Sequence, residues 1–163
     1  MNTERDTSGV RIRPAVAEDS EAIASVLRES FAEYEALYTP EGFAATTPAS
    51  VEVSKRVEEG PVWVALDEDE AFVGTVSVVS KGEALYVRGM AVTPAARGRR
   101  VGELLLRRAE DFAREHNFKR IFLSTTPFLH RAIKLYERHG YRRTQEAPHD
   151  LHGTPLFTME KPL

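Results

Sequence analysis

The sequence predicts a mixed α/β domain, a β-sheet with helices packed on its faces. Three observations carry this expectation. The 163 residues suit one domain, long enough to bury about two thirds of the surface its unfolded chain would expose. Apolar residues recur at strand spacing in some segments and at helix spacing in others. No internal repeat, low-complexity stretch or linker divides the chain, so a polar extension at 1–9 followed by one domain at 10–163 is expected.

Val10 to Arg13 before Pro14 reads as a short strand, and Asp19 or Ser20 opens a helix in which Ile23, Val26, Leu27 and Phe31 recur to about Ala36. Tyr38 to Ala49 is rich in Pro, Gly and Thr and reads as a loop; Val51, Val53 and Val57 then mark a short helix ending at Gly60. Val62–Leu66 and Ala71–Ser80 form a hairpin around the acidic turn Asp67 to Glu70. Glu83–Val92 is the next strand, with Gly89 marking a bulge or a close backbone approach.

After Pro94, a helix carries Val101, Leu104, Leu105, Ala109 and Phe112 on one face, with charges mostly on the other. Lys119–Ser124 reads as a strand. Thr126 and Pro127 then supply the cap and first residue of a helix buried through Leu129, Ala132, Ile133 and Tyr136, and closed by Gly140. Tyr141–Thr144 and Pro155–Met159 supply two last strands. The predicted order is β, α, α, β, β, β, α, β, α, β, β.

Composition narrows the function classes. Hydrophobic residues at 42% and charged residues at 29% are ordinary for a soluble protein and argue against disorder, collagen-like repeats and coiled coils. No apolar run approaches the roughly 20 residues of a membrane helix, and the polar start of the chain resembles no signal peptide. A cytoplasmic protein without a membrane partner is expected. The absence of cysteine excludes disulfides, thiolate metal sites and a cysteine nucleophile. His149 and His152 beside Asp150 read as surface loop rather than ligands, so no metal is expected.

The net charge of −3 conceals a basic segment, since Arg97 to Arg143 carries 13 Lys and Arg against 5 Asp and Glu. In an acidic chain this indicates a local anion site rather than a nucleic-acid surface. The segment opens with Ala91-Val92-Thr93-Pro94-Ala95-Ala96-Arg97-Gly98-Arg99-Arg100-Val101-Gly102, a strand end and a Gly/Arg loop feeding a helix. Unpaired N–H groups, the positive end of the helix dipole and close backbone approach at glycine suit phosphate there. The loop is neither a P-loop nor a dinucleotide fingerprint.

These residues resemble the GNAT superfamily of acyl-CoA-dependent N-acyltransferases, whose central motif is Arg or Gln, two residues, Gly, one residue, and Gly or Ala. Arg97 and Gly102 match its ends, while Arg100 stands at the usual middle glycine. A second family motif is matched by Ala132-Ile133-Lys134-Leu135-Tyr136-Glu137-Arg138-His139-Gly140-Tyr141, and the opening Arg11-Ile12-Arg13-Pro14-Ala15 also looks like the family's. The resemblance implies a central mixed, mostly antiparallel sheet of six to seven strands with about four helices on its faces, two strands splaying apart at the loop.

It further implies acetyl-CoA as co-substrate, with Met90, Ala91 and Val92 serving the pantetheine arm and thioester, and Arg97, Gly98, Arg99, Arg100, Val101 and Gly102 wrapping the pyrophosphate. Tyr136 would be the general acid, although its place on the apolar stripe also suits a core aromatic. The acceptor would be a small-molecule or peptide amine, and a homodimer is common in the family. Two family positions depart, Leu129 for a frequent Asn and Ser124 for an occasional Glu base. The base therefore stays open among Glu83, Glu33 and Glu35, acting directly or through water. Tyr34, Tyr38 and Phe43 with Glu33, Glu35 and Glu41 would line an acidic, aromatic acceptor rim suited to a cationic amine, or simply pack the first helix. The alternative to catalysis is a silent acyl-CoA-binding or sensing domain.

Overall fold

The computed structural model describes residues 9–163, so the expected polar extension at 1–9 lies, apart from Gly9, outside the described residues. Strands β1 (Arg11–Pro14), β2 (Val62–Leu66), β3 (Phe72–Lys81), β4 (Ala84–Val92), β5 (Arg120–Thr125), β6 (Arg142–Arg143), β7 (His149–Leu151) and β8 (Thr154–Pro162) form one open sheet. Its order is β1-β2-β3-β4-β5-β8-β6, with β7 paired to β8. Every pairing is antiparallel except β4 with β5. The helices are α1 (Ser20–Phe31), α2 (Pro40–Thr46), α3 (Ser50–Glu59), α4 (Val101–Glu115) and α5 (His130–Arg138).

The acidic hairpin turn works because the Asp67 carboxylate accepts the N–H groups of Asp69 at 2.8 Å and Ala71 at 3.0 Å, replacing ladder bonds the turn cannot make. On one sheet face, Leu105, Leu106, Ala109 and Ala113 of α4 are buried against Val76, Leu85, Ile121 and Met159. On the other, Ile23, Val26 and Leu27 of α1 and Val53 of α3 cover Val62, Val64 and Ala91. Burying a Val or Leu stabilises by roughly 1.5–3 kcal/mol, so these two clusters fix which helices lie on which side.

Two local features place the site. In the β3–β4 ladder Ser77 faces Gly89 and Val78 faces Val87, leaving Arg88 as the extra residue of a bulge. This is the irregularity expected at Gly89. Beyond it β4 loses β5: their pairing runs from Ala84↔Arg120 to Val87↔Leu123 and stops, while β5 continues beside β8 as far as Thr125↔Phe157. The strands splay, and the outer edge of Met90–Val92 is left without a strand.

Several expectations are corrected. The first helix is α-helical only to Phe31 and tightens into a 3-10 turn over Ala32–Leu37. The stretch expected as loop after Tyr38 contains α2, whose cap Thr39 accepts the Gly42 N–H at 3.0 Å and whose first residue is Pro40. The turn-rich stretch after Ala147 contains β7. One strand and one short helix are thereby added to the predicted order. The helix expected from Pro127 begins three residues later at His130, because Thr126–Leu129 closes a turn, Leu129 N–H to Thr126 carbonyl at 3.2 Å. That turn carries the Phe128 ring onto Tyr38, at 4.9 Å between centroids.

At the start of the fold the nearly buried Asp19 carboxylate accepts both Arg13 guanidinium nitrogens, at 2.8 and 3.0 Å, and the Val16 N–H at 2.8 Å. The Arg13 hydrogen bonds hold its carboxyl below the ordinary value of 3.8. A carboxyl depressed on folding stabilises the native state above its unfolded value, and that contribution disappears as pH falls through the lower folded value. Denaturant unfolding of Asp19→Asn should therefore show lower stability than wild type at neutral pH and a smaller loss below about pH 4; equal acid sensitivity of the two proteins would refute the linkage.

Candidate active site

The gap between β4 and β5 opens into a cleft of about 480 Å³. The end of α1 contributes Ser30 and Phe31 and the 3-10 turn after it Tyr34, β4 contributes Met90, Ala91 and Val92, and α5 contributes Leu135 and Tyr136. Arg97, Gly98, Arg100, Val101 and Gly102 complete it at the start of α4. Helices from opposite sheet faces thus line one cavity, which passes through the sheet where the strands part.

The loop meets the geometric demands of an anion cradle. Among the described residues the N–H groups of Val101, Gly102 and Glu103 find no acceptor, and Leu104 is the first to bond, to the Arg100 carbonyl at 3.0 Å. Such unpaired groups, aligned with the helix dipole, favour negative charge. Gly98 has φ +83° and Arg100 φ +65°. Arg100 therefore adopts the left-handed conformation that a glycine at this place would favour, at a cost of about 1–2 kcal/mol, and the loop keeps its course despite the substituted residue. A Cβ on Gly102 would stand 3.0 Å from Leu135 Cδ2, so its absence lets α4 approach α5. Arg99 departs from expectation: lying between the two left-handed residues, it is exposed and does not line the cleft.

Tyr136 lies at the other wall, only 7% exposed. Burial, and secondarily the Tyr38 phenol, push its pKa far above the ordinary value of 10. Among the described residues no side chain or carbonyl accepts from its hydroxyl. Beneath it, Tyr141 lies 5.9 Å away ring to ring and donates to Glu110 at 2.8 Å, and Lys161 donates to the other Glu110 oxygen at 3.1 Å.

A sequence model of the Acetyltransferase (GNAT) family matches residues 23–141. The chain belongs to the GNAT acetyltransferase family. As a GNAT enzyme it is an N-acetyltransferase that draws its acyl group from acyl-CoA. It is 30% identical over 141 residues to an uncharacterised N-acetyltransferase of Escherichia coli, covering 83% of this chain and 84% of that one. It is 35% identical over 86 residues to N-acetylaspartate synthetase of Danio rerio, covering 52% and 30% respectively. The same fold occurs in the PaiA N-acetyltransferase of Thermoplasma acidophilum in complex with coenzyme A, with TM-score 0.81, 18% identity and coverage of 94% and 99%. Among the described residues no helix is long and apolar enough to cross a membrane.

Of the residues expected from sequence to form an acceptor rim, most do not line the cleft. Glu33 is ion-paired with Arg97, which also reaches the Ser30 carbonyl at 3.4 Å. Tyr38 is buried in an aromatic cluster with Phe31, Phe43 and Phe128, so it packs the helix, as does Phe43. Tyr34 alone of the three reaches the cleft. Of the candidate bases, Glu83 lies at the far end of β4, its carbonyl taking the Lys119 N–H at 2.9 Å, and neither Glu33 nor Glu35 lines the cleft. At Ser124, where the family's Glu is missing, His149 Nε2 approaches Oγ to 3.3 Å. No local pattern announced that contact, because β7 is too short to show a period.

Proposed function

We propose that this enzyme transfers an acetyl group from acetyl-CoA to a primary amine by direct attack, with Tyr136 as general acid. The observation that carries this reading is the single cleft joining the α4 N-terminus, the bare edge of β4 and the partnerless Tyr136 hydroxyl. The donor set fits acetyl-CoA: three free backbone N–H groups with Arg97 and Arg100 would hold its pyrophosphate, and the Met90–Val92 edge its pantetheine arm. When bound, the thioester supplies an activated acyl carbon.

The backbone of Met90–Val92 would orient the carbonyl and donate to its oxygen, where negative charge grows as the amine attacks. The new C–N bond forms as C–S breaks. Tyr136 gives its proton to the departing sulfur, the amine's surplus proton leaves to solvent, and the phenolate takes a proton back from solvent, so the charges balance over the cycle. Burial keeps the Tyr136 phenol protonated at working pH, so its proton is present when the sulfur departs. Apolar walls from Val92 and Leu135 exclude water that would hydrolyse the thioester.

Calorimetric titration of acetyl-CoA into the protein should give saturable binding that weakens as salt is raised, since phosphates meet arginines. Thiol release should follow when an amine panel is added. Binding without release for any amine would favour the silent acyl-CoA-binding alternative, and no binding would end the proposal.

A further inference from the structure

The basic segment is larger than the pyrophosphate requires. Besides the loop at the start of α4, the cleft is lined by Arg131, Lys134 and Arg138 of α5. All three are exposed, and among the described residues none is ion-paired with a carboxylate. Spaced three and then four residues apart, they share one stripe of the helix, which rises about 10 Å from the first to the last. Glu103 is the one carboxylate among the described residues that line the cleft, and Arg100 and Arg107 hold it, each at 3.0 Å. Leu135, which a Cβ on Gly102 would approach to 3.0 Å, lies one turn from both Arg131 and Arg138. Helix α5 thereby brings these cations beside the N–H groups that open α4.

Such a row is unfavourable as it stands, because like charges one turn apart on a helix repel. An anion seated against it would relieve the repulsion, and phosphate suits the set: a guanidinium grips its oxygens bidentately, and an ammonium adds a point charge. Position says which phosphate. With the thioester end of the co-substrate running inward to Met90–Val92 and its pyrophosphate at the α4 N-terminus, the nucleoside end emerges at the mouth of the cleft, where the three exposed cations stand. Coenzyme A carries a further phosphate there, on the 3′-hydroxyl of its ribose.

We propose that Arg131, Lys134 and Arg138 form the site for the ribose 3′-phosphate of acetyl-CoA, so that the enzyme selects coenzyme A thioesters over donors that lack this phosphate. This rests on the acetyl-CoA reading above and gives α5 a binding role beside that of Tyr136. One helix then serves both ends of the co-substrate: its exposed stripe holds the nucleotide, and its buried face presents the general acid.

Calorimetric titration of acetyl-CoA and of acetyl-dephospho-CoA, which differ only in that phosphate, tests the assignment on the wild-type protein. Kd for the dephospho donor should be about tenfold higher. Arg131→Gln, Lys134→Gln and Arg138→Gln should each raise Kd for acetyl-CoA about 2- to 4-fold, and together about tenfold, leaving Kd for acetyl-dephospho-CoA unchanged. That unchanged value also guards against a folding defect in the variants. Equal binding of the two donors by the wild type would overturn the site and leave the transferase reading standing. So would an equal loss for both donors in the triple variant, the result of diffuse attraction rather than a phosphate contact. Failure of both donors to bind would instead remove the acetyl-CoA reading and this proposal with it.

Discussion

Tyr136→Phe should lower kcat on the order of 10²- to 10³-fold, with the affinity for acetyl-CoA unchanged. The substitution removes one oxygen and leaves the ring that packs on Tyr141, so the loss isolates proton donation from cleft shape. Stability should move by less than about 1 kcal/mol, because among the described residues the hydroxyl has no partner whose bond would be broken. The pH profile gives an independent check. With the Tyr136 pKa raised by burial, the wild-type rate should show no decline from this group up to its ordinary value of 10. Calorimetry and steady-state kinetics on both proteins decide the matter, and a mutant that keeps wild-type kcat would return Tyr136 to the role of a core aromatic.

Lys161→Met should destabilise the protein by about 3 kcal/mol, the cost of leaving a buried charge without its counter-ion. Glu110 is the reason: its side chain is only 5% exposed, and Lys161 is its closest cation, with Arg114 farther away at 3.9 Å. In a protein of this size the loss corresponds to a fall in Tm of roughly 6–12 °C. The double variant Lys161→Met, Glu110→Gln should recover most of it, since a neutral amide can still accept the Tyr141 hydroxyl. Thermal unfolding of the three proteins tests this, and a double variant no more stable than the single would mean that packing, not charge, is lost. The effect should reach catalysis, because Tyr141, anchored by Glu110, is the floor under Tyr136.

Much of the fold was legible because its signals are local. The period of Leu105, Ala109 and Phe112 marked α4, and the alternation of the central strands marked the sheet. The acidic turn at Asp67 needed only its own carboxylate. The misreadings have physical causes. α2 has a proper cap at Thr39 and proline at Pro40, but its seven residues show too little periodicity to stand out from loop. Pro127 has the chemistry of a first helical residue, yet the aromatic cluster around Tyr38 captures Phe128 and delays the helix. At Arg100 the side chain argued against the glycine-like conformation, and the backbone adopts it regardless, since its neighbours on both sides are fixed by β4 and α4.

The sequence by itself determined the family and the two segments that build the cleft, Arg97–Gly102 and Ala132–Tyr141, because each is a contiguous motif whose spacing dictates its local shape. It also determined that Tyr136 lies on a buried helix face. Only the tertiary structure decided what surrounds them. The splay depends on β4 and β5 parting after Val87. The withdrawal of Glu33 depends on its ion pair with Arg97, and the approach of Arg56 to Gly89 on α3 packing over the β4 bulge. These are contacts between residues far apart in the chain, set by how hydrophobic faces bury one another. No local propensity encodes them, since each partner's side chain is compatible with many neighbours until packing of the sheet selects one.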